Sequence, residues 1–115
     1  MSNAALISEL LKKRCSALAP GTPPASESRV RDVVRELPGW EVSGKEIHKT
    51  YKFANYHETM AFVNATAWVS HREDHHPDLE VGYNKCKVAY STHSVGGLSD
   101  TDFESAGRVE GLLSA

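Results

Sequence analysis

The chain is poor in cysteine and has no long apolar run, and each absence excludes a class of protein. Its two cysteines, Cys15 and Cys86, lie far apart in sequence, and neither belongs to a CxxC pair. This argues against a zinc knuckle or a disulfide framework and is typical of a reducing compartment. No apolar run approaches membrane-spanning length, and the first residues lack the apolar core of a signal peptide. We therefore expect a soluble cytoplasmic protein.

The charge and length of the chain exclude further classes of protein. The formal net charge is −2 at pH 7, so the chain offers no basic stripe for binding nucleic acid. Hydrophobic residues make up 40% of the 115 residues and charged residues 24%, which is ordinary for a globular protein. A chain of this size holds one core, and such small domains often gain stability by self-association. We expect a single domain with no membrane or nucleic-acid partner.

A segment rich in proline and glycine divides the chain near its start. Residues 5–18 carry a fair helical stripe of apolar side chains, and residues 19–26 form a loop by composition. We therefore assign residues 1–25 to an N-terminal extension, a short helix plus loop, and residues 26–115 to the main domain.

Hydrophobic periodicity and turn residues predict seven elements in the main domain. In chain order they are a helix over 26–37, strands over 40–42 and 46–53, a helix from 55 to about 74, strands over 79–83 and 86–90, and a helix over 99–113. Ser26, Asn55 and Ser99 are the predicted N-caps, because their side-chain oxygens can accept bonds from exposed backbone N–H groups. The long helix must end before Pro77. This order predicts an α+β fold with an antiparallel sheet.

The same periodicity predicts which side chains are buried. Ile47 and Tyr51 share one face of their strand, with Lys49 as an exception on that face. Tyr83 is expected to be buried in the hairpin. The long helix is expected to bury an apolar stripe made of Tyr56, Met60, Val63 and Ala67 and broadened by Phe62 and Trp68.

Four of the six histidines, His71, His75, His76 and His93, are the strongest chemical signal in the sequence. Histidine gives or takes a proton near neutral pH, because its unperturbed pKa is about 6.5. His71 and His75 lie one helical turn apart, a spacing that can chelate a metal, and His76 and His93 could complete a ligand set. The absence of an HExxH pattern and of a local cysteine weakens this metal interpretation.

An acid–base site makes weaker geometric demands on the same residues than a metal site does. The ends of the long helix and of the last strand would bring His75, His76 and His93 around one cleft. There one imidazole could protonate a leaving hydroxide while another accepts a proton. A neighbouring carboxylate such as that of Asp74 could orient a ring, whereas Asp102 is sufficiently explained by capping of the last helix. A single histidine at a helix end is more simply a surface residue, but the cluster favours acid–base chemistry.

Several motifs resemble the signature of the pterin-4a-carbinolamine dehydratases. The main ones are His71-x-x-x-His75-His76-Pro77, Tyr83, Ser91-Thr92-His93 and Asp102. Further pieces that fit are Pro38-Gly39-Trp40, Tyr51-Lys52-Phe53, Tyr83-Asn84-Lys85 and Gly97-Leu98-Ser99. The resemblance covers roughly residues 26–113, which is the whole main domain.

The resemblance implies a four-stranded antiparallel sheet with helices packed on one face, associating as homodimers or homotetramers. It implies a lyase that dehydrates 4a-hydroxytetrahydrobiopterin, or a related pterin, to quinonoid dihydropterin, so that tetrahydrobiopterin is recycled for an aromatic amino acid hydroxylase. It implies no metal and no bound cofactor, since the pterin is the substrate. A protein-binding role is the alternative, because animal relatives also serve as a dimerisation cofactor for a homeodomain transcription factor.

The resemblance also implies residue roles. His75 and His93 would transfer protons near the 4a-hydroxyl, with His76 binding or assisting. The implied substrate-binding residues are His75, His76, Pro77, Thr92, His93, Ser94 and Val95. The implied supporting residues are His71, Asp74, Tyr83 and Asp102. Some positions depart from the family pattern, which often has glutamate at His71 and an aromatic residue at Leu79, and these departures bear on substrate preference.

Overall fold

A computed structural model describes residues 21–113, so the predicted N-terminal helix over residues 5–18 lies outside the described residues. The helices are α1, Glu27–Val34; α2, Tyr56–Glu73; and α3, Asp100–Gly111. The strands are β1, Glu41–Ser43; β2, Glu46–Lys52; β3, Asp78–Val81; and β4, Lys85–Tyr90. A single-turn 3-10 helix, His93–Val95, lies between β4 and α3. Within residues 21–113, no helix is both long and apolar enough to cross a membrane.

The four strands form one antiparallel sheet in the order β1-β2-β4-β3. Alternate residues of the two central strands point into the core, as the period of two requires. The buried residues of this face are Ile47, Tyr51, Cys86, Val88 and Tyr90. They share one core with helix residues Val30, Val33, Phe62, Phe103, Ala106 and Val109. The expected α+β fold, with helices packed on one face of the sheet, is confirmed.

Side-chain caps fix where the helices begin. The Ser26 hydroxyl accepts a bond from the Arg29 N–H at 3.2 Å, and the Asn55 side chain accepts one from the Glu58 N–H at 2.9 Å. These contacts confirm two predicted N-caps. At its other end α2 finishes at Glu73, because the next residue adopts the left-handed conformation with φ 51°. This sharp end turns the following residues toward the sheet.

The predicted buried face of α2 was right for Phe62, which is buried, and for Val63, which packs against the core, but wrong for other residues of the stripe. Tyr56 and Trp68 are 52% and 61% exposed, whereas the buried residues of this helix are Thr59, Phe62, Thr66, Val69, Ser70 and Glu73. Two of these hydroxyl side chains, those of Thr59 and Ser70, can be buried because they bond to the backbone of their own helix. The Thr59 hydroxyl donates to the Asn55 carbonyl at 2.9 Å and the Ser70 hydroxyl to the Thr66 carbonyl at 2.8 Å. Apolar periodicity alone does not detect such a face.

The expected burial of Tyr83 was also wrong. Its side chain is 66% exposed, because β3 ends at Val81 and Tyr83 falls in the turn of the hairpin. The Tyr83 ring instead stacks on the Tyr56 ring, with 6.5 Å between centroids. Its carbonyl accepts a bond from the buried Thr59 hydroxyl at 2.9 Å, which fastens the hairpin turn to the start of α2.

Candidate active site

The sheet topology brings together two segments that are distant in sequence. Asp78, the first residue of β3, pairs with Ala89 near the end of β4. Because the two strands are antiparallel, residues 74–77 enter the sheet at the same end from which residues 91–93 leave it. The histidine-rich end of α2 and the Ser-Thr-His segment therefore lie at one end of the sheet.

Asp102 joins these two segments at the first turn of α3. Its Oδ1 lies 2.6 Å from Nε2 of His75, and its Oδ2 accepts a bond from the Thr92 hydroxyl at 2.7 Å. The backbone N–H of Ser99 also donates to Oδ2, at 2.9 Å. The Asp102 side chain is fully buried and that of His75 is 14% exposed. The residue first explained as a helix cap therefore also binds a histidine of the predicted site.

The loop after β4 is held by its own hydrogen bonds. The Thr92 N–H donates to the Gly97 carbonyl at 2.9 Å, which closes the loop on itself. The Thr92 and Ser99 hydroxyls lie 2.8 Å apart, and since Thr92 donates to Asp102, Ser99 donates to Thr92. His93 is exposed on this loop. A fixed loop of this kind presents His93 at a defined place beside the Asp102 network.

The hydrogen bond to Asp102 determines which nitrogen of His75 can react. A carboxylate accepts hydrogen bonds, so Nε2 of the neutral ring carries the proton and Nδ1 carries the lone pair. Among the described residues, none makes a hydrogen bond to Nδ1. The His75 side chain is 14% exposed. His75 is thus an oriented imidazole with one unused nitrogen.

A cavity of about 220 Å³ lies beside His93. Its lining residues are Ser43, Lys45, Glu46, Ser91, Thr92, His93, Gly96 and Gly97. His75 and His76 do not line this cavity. His75 is linked to its wall through Asp102, which bonds to the lining residue Thr92. His75 thus bonds to the Asp102 network, and His93 follows the network residue Thr92 in the chain. The predicted single cleft for all three histidines remains a prediction.

The other predicted residues lie around this network. His76 and Ser94 are exposed, and Pro77 and Val95 are half-buried. The supporting residues predicted on the α2 end, His71 and Asp74, are exposed. Asp74 contributes its left-handed backbone, while the carboxylate that orients His75 belongs to Asp102.

The metal interpretation gains no geometric basis from the described residues. Within residues 21–113, no three His, Cys, Asp or Glu side chains are arranged to hold a metal ion. The predicted ligand set His71, His75, His76 and His93 is therefore not assembled. His75 instead directs its Nε2 at a carboxylate that is already bonded to Thr92 and Ser99.

Sequence reasoning missed two residues of this site, Ser99 as a bond donor to Thr92 and Tyr90 as a ring stacked on His75. The Tyr90 and His75 rings are nearly parallel, at 14°, with centroids 5.6 Å apart. The position of Tyr90, buried at the end of β4 and next to Ser91-Thr92-His93, is the only signal that could have suggested a role.

The chain is similar to known proteins along most of its length. The chain is 51% identical over 107 residues to a Nitrosospira multiformis protein named "Putative pterin-4-alpha-carbinolamine dehydratase", covering 93% of this chain and 95% of the relative. A protein of the same name from Nitrosomonas eutropha is 47% identical over 108 residues, covering 93% of this chain and 96% of that protein.

The fold is also similar to a solved structure. A crystal structure of a transcriptional coactivator/pterin dehydratase from Brucella melitensis matches with a TM-score of 0.75 and 26% identity, covering 77% of this chain and 97% of that one. The family model described as pterin 4 alpha carbinolamine dehydratase matches residues 23–112, which include every residue of the Asp102 network. The chain therefore belongs to the pterin 4 alpha carbinolamine dehydratase family.

Proposed function

We propose that this chain dehydrates 4a-hydroxytetrahydrobiopterin, or a related pterin, to the quinonoid dihydropterin. Family membership supports the substrate class. The observation that best supports the chemistry is the 2.6 Å bond between His75 and the buried Asp102, which leaves the other ring nitrogen of His75 unused. An imidazole held in this way is suited to moving a proton near neutral pH.

The reaction requires two proton transfers. The C4a–O bond breaks as the departing hydroxyl takes a proton, N5 gives up its proton, and a C4a=N5 double bond forms as water leaves. We assign these transfers to His75, through Nδ1, and to His93 on the loop after β4. A positioned acid or base is worth about 10²–10⁴-fold in rate. Two such groups near the same carbinolamine carry the chemistry without any further reactive side chain.

The remaining residues hold the pterin. We assign His76 and Pro77 to binding from the α2 side, and backbone groups of Thr92, Ser94 and Val95 to the polar edge of the heterocycle. The loop bonds between Thr92 and Gly97 support this assignment, because they fix the backbone that would meet the ligand. In a supporting role, Asp102 acts through His75. His71, Asp74 and Tyr83 lie further out and are exposed.

In the cell, we propose, a separate reductase then reduces the quinonoid dihydropterin product, so that tetrahydrobiopterin is supplied again to an aromatic amino acid hydroxylase in the cytoplasm. The dehydration itself would use no metal or bound cofactor. We also propose a homodimer or homotetramer. Trp68, at 61% exposed on α2, and Val81, at 46% exposed on edge strand β3, support self-association, because large apolar groups at a surface are often covered by a partner.

A turnover assay on enzymatically generated carbinolamine tests the proposed function. The wild-type protein is expected to accelerate loss of water, with a rate that changes between about pH 6 and 7.5, where imidazoles titrate. His75→Gln and His93→Gln are each expected to lower kcat by about 10²-fold or more. His57→Gln, an exposed histidine at the start of α2, is the matched control. Unchanged turnover in both site variants, or a flat pH profile, would contradict the proposal.

A second candidate function is binding of a protein partner. The similar Brucella melitensis structure is described as a transcriptional coactivator/pterin dehydratase, and Trp68 offers an exposed surface with Arg72 stacked 5.4 Å from its ring. The His75→Gln/His93→Gln double variant separates the two functions. Retention of a partner-dependent phenotype without dehydration would show two functions, whereas loss of both would tie the phenotype to catalysis.

A further inference from the structure

Three aromatic rings, those of Trp40, Tyr90 and His75, make successive contacts, and we call this series the column. The Tyr90 ring contacts both of the others, with its centroid 5.6 Å from His75 and 6.2 Å from Trp40. The interplanar angles are 14° and 29°, so both contacts are stacked. Tyr90 is fully buried and Trp40 is 4% exposed. The column therefore runs through the core to the edge of the site.

The far end of the column is anchored by a carboxylate. The Trp40 indole N–H donates to Oε1 of Glu110 at 3.1 Å, and the same oxygen accepts bonds from Lys49 at 2.6 Å and Tyr51 at 2.5 Å. The Lys49 amine also donates to the Pro38 carbonyl at 2.7 Å. These bonds fix the indole in the core, and the indole in turn limits movement of the Tyr90 ring.

The two supports of His75 constrain different motions. The bond to Asp102 fixes one edge of the imidazole, but a ring held at one atom can still tilt about that bond. The parallel contact with Tyr90 fixes the plane of the ring, since stacked rings keep a preferred separation and offset. Together the two contacts determine the direction of Nδ1.

We propose that Tyr90 is a positioning residue, which acts through His75 to set the direction of its Nδ1. The catalytic consequence rests on the proposed function, whereas the ring contact does not. A small error in the placement of a reacting group can lower a rate by as much as about 10²-fold. Loss of the Tyr90 ring is therefore expected to lower kcat while KM changes little.

Ordinary core packing is the alternative role for the Tyr90 ring. Val88 is also a fully buried residue on the inner face of β4, and it provides a matched control. Val88→Ala removes buried volume from the same strand without removing an aromatic ring. It is expected to lower stability, as other large-to-small core changes do. It should leave kcat and the ring environment of His75 unchanged.

The test uses Tyr90→Leu and Tyr90→Phe, with NMR of the His75 ring protons and steady-state kinetics as readouts. The His75 signals are assigned by their loss in His75→Gln. Tyr90→Leu is expected to move these signals away from their ring-current-shifted positions and to lower kcat about 10- to 100-fold. Tyr90→Phe retains the ring, so it is expected to recover the wild-type signals and most of kcat.

Tyr90→Met provides a second variant if Tyr90→Leu does not fold, because methionine adapts to irregular core space. The proposal is overturned if kcat of the folded ring-less variant matches that of wild type or Val88→Ala, whatever the His75 signals do. It is also overturned if Tyr90→Phe behaves like Tyr90→Leu. Absence of pterin turnover in the wild-type protein would defeat the proposed function instead, while the NMR comparison would still decide the ring contact.

Discussion

Helix α3 carries a hydrogen-bonded carboxylate near each end. Each carboxylate accepts bonds from three donors, but the two groups differ in whether a donor keeps an atom that could react. Asp102 in the first turn accepts from His75, Thr92 and the Ser99 backbone. Glu110 in the last turn accepts from Trp40, Lys49 and Tyr51. Both groups are dense, polar and largely buried. Only the first contains a titratable ring with an unused nitrogen.

The donors explain the difference. At Glu110, the lysine uses a further proton on the Pro38 carbonyl, and the indole and the phenol have no second group that titrates near pH 7. The cluster is closed and holds the core together. At Asp102, His75 binds through Nε2 and retains Nδ1 for a ligand. Burial and the number of bonds therefore do not distinguish the two carboxylates, whereas an unused nitrogen on the bound ring does.

The largest expected effect comes from Asp102→Asn. The amide can donate to Nε2 of His75, which moves the imidazole proton to Nδ1 and inverts the tautomer. Loss of the correct tautomer lowers rates by about 10²–10⁴-fold where a carboxylate orients a catalytic histidine. Carbinolamine turnover measures this loss. Full turnover in the folded variant would remove the assigned distinction between the two carboxylates.

Asp100→Asn is the matched control for this substitution. Asp100 lies in the same first turn of α3, but it is exposed and pairs with Arg29 at 3.1 Å. Exposed ion pairs contribute at most about 1 kcal/mol. We therefore expect near-normal turnover and a small change in stability. An equal loss of turnover in both variants would indicate that any acid removed from this turn disturbs the site.

Glu110→Gln should have the opposite profile, with lower stability and a small effect on turnover. Hydrogen bonds to a charged group are worth about 1.5–3 kcal/mol, so we expect a loss of about 2–3 kcal/mol at pH 7 by urea unfolding. Glu80→Gln is the control, since that carboxylate is 78% exposed and lies 3.6 Å from Lys87. It should change the free energy of unfolding by less than about 0.5 kcal/mol.

The pH dependence of this loss gives a further check. Burial alone would raise the pKa of Glu110, but bonds from Lys49, Tyr51 and Trp40 outweigh it and hold the pKa below its ordinary value of 4.5. The unfolded state therefore binds the proton first as pH falls, and the stabilisation present above about pH 4.5 is lost in acid. The difference between wild type and Glu110→Gln should shrink below that pH. A constant difference would contradict an ionised Glu110 as the source of stability.

The elements of the fold could be predicted because their signals are local. Ser26 and Asn55 lie beside the N–H groups that they cap, and the alternation of β2 marked Lys49 as an exception on the inner face. Its partner Glu110 could not be predicted, because α3 contacts β2 only in the folded chain. The face of α2 was missed because it buries hydroxyl side chains, and those of Thr59 and Ser70 bond to backbone carbonyls of their own helix.

The sequence pointed to several residues of the candidate site, but not to the hydrogen bonds and ring contacts that join them. The histidines and Asp102 stood out in the sequence, and capping explained Asp102 on its own. Its bond to His75 spans 27 residues and depends on the turn after α2. Tyr90 followed the alternation of β4 as a core residue. Its stacking on His75 depends on tertiary packing that a period of two does not encode.

The smallest expected effect comes from Tyr51→Phe, which removes one donor from the closed cluster. Burial, followed by the bond and the charge of Glu110, raises the pKa of Tyr51 far above its ordinary value of 10.0. The unfolded state therefore loses this proton first, and the stabilisation present below about pH 10 is lost as pH rises. We expect a loss of about 1 kcal/mol at pH 7 and a weaker decline of stability between about pH 9 and 11, measured by urea unfolding. Tyr56→Phe, at a ring 52% exposed, should retain the wild-type decline. If the stability of Tyr51→Phe declines in alkali as steeply as that of wild type, the Tyr51 phenol is not the source of the pH dependence. The stabilising bonds to Glu110 would then be those from Lys49 and Trp40.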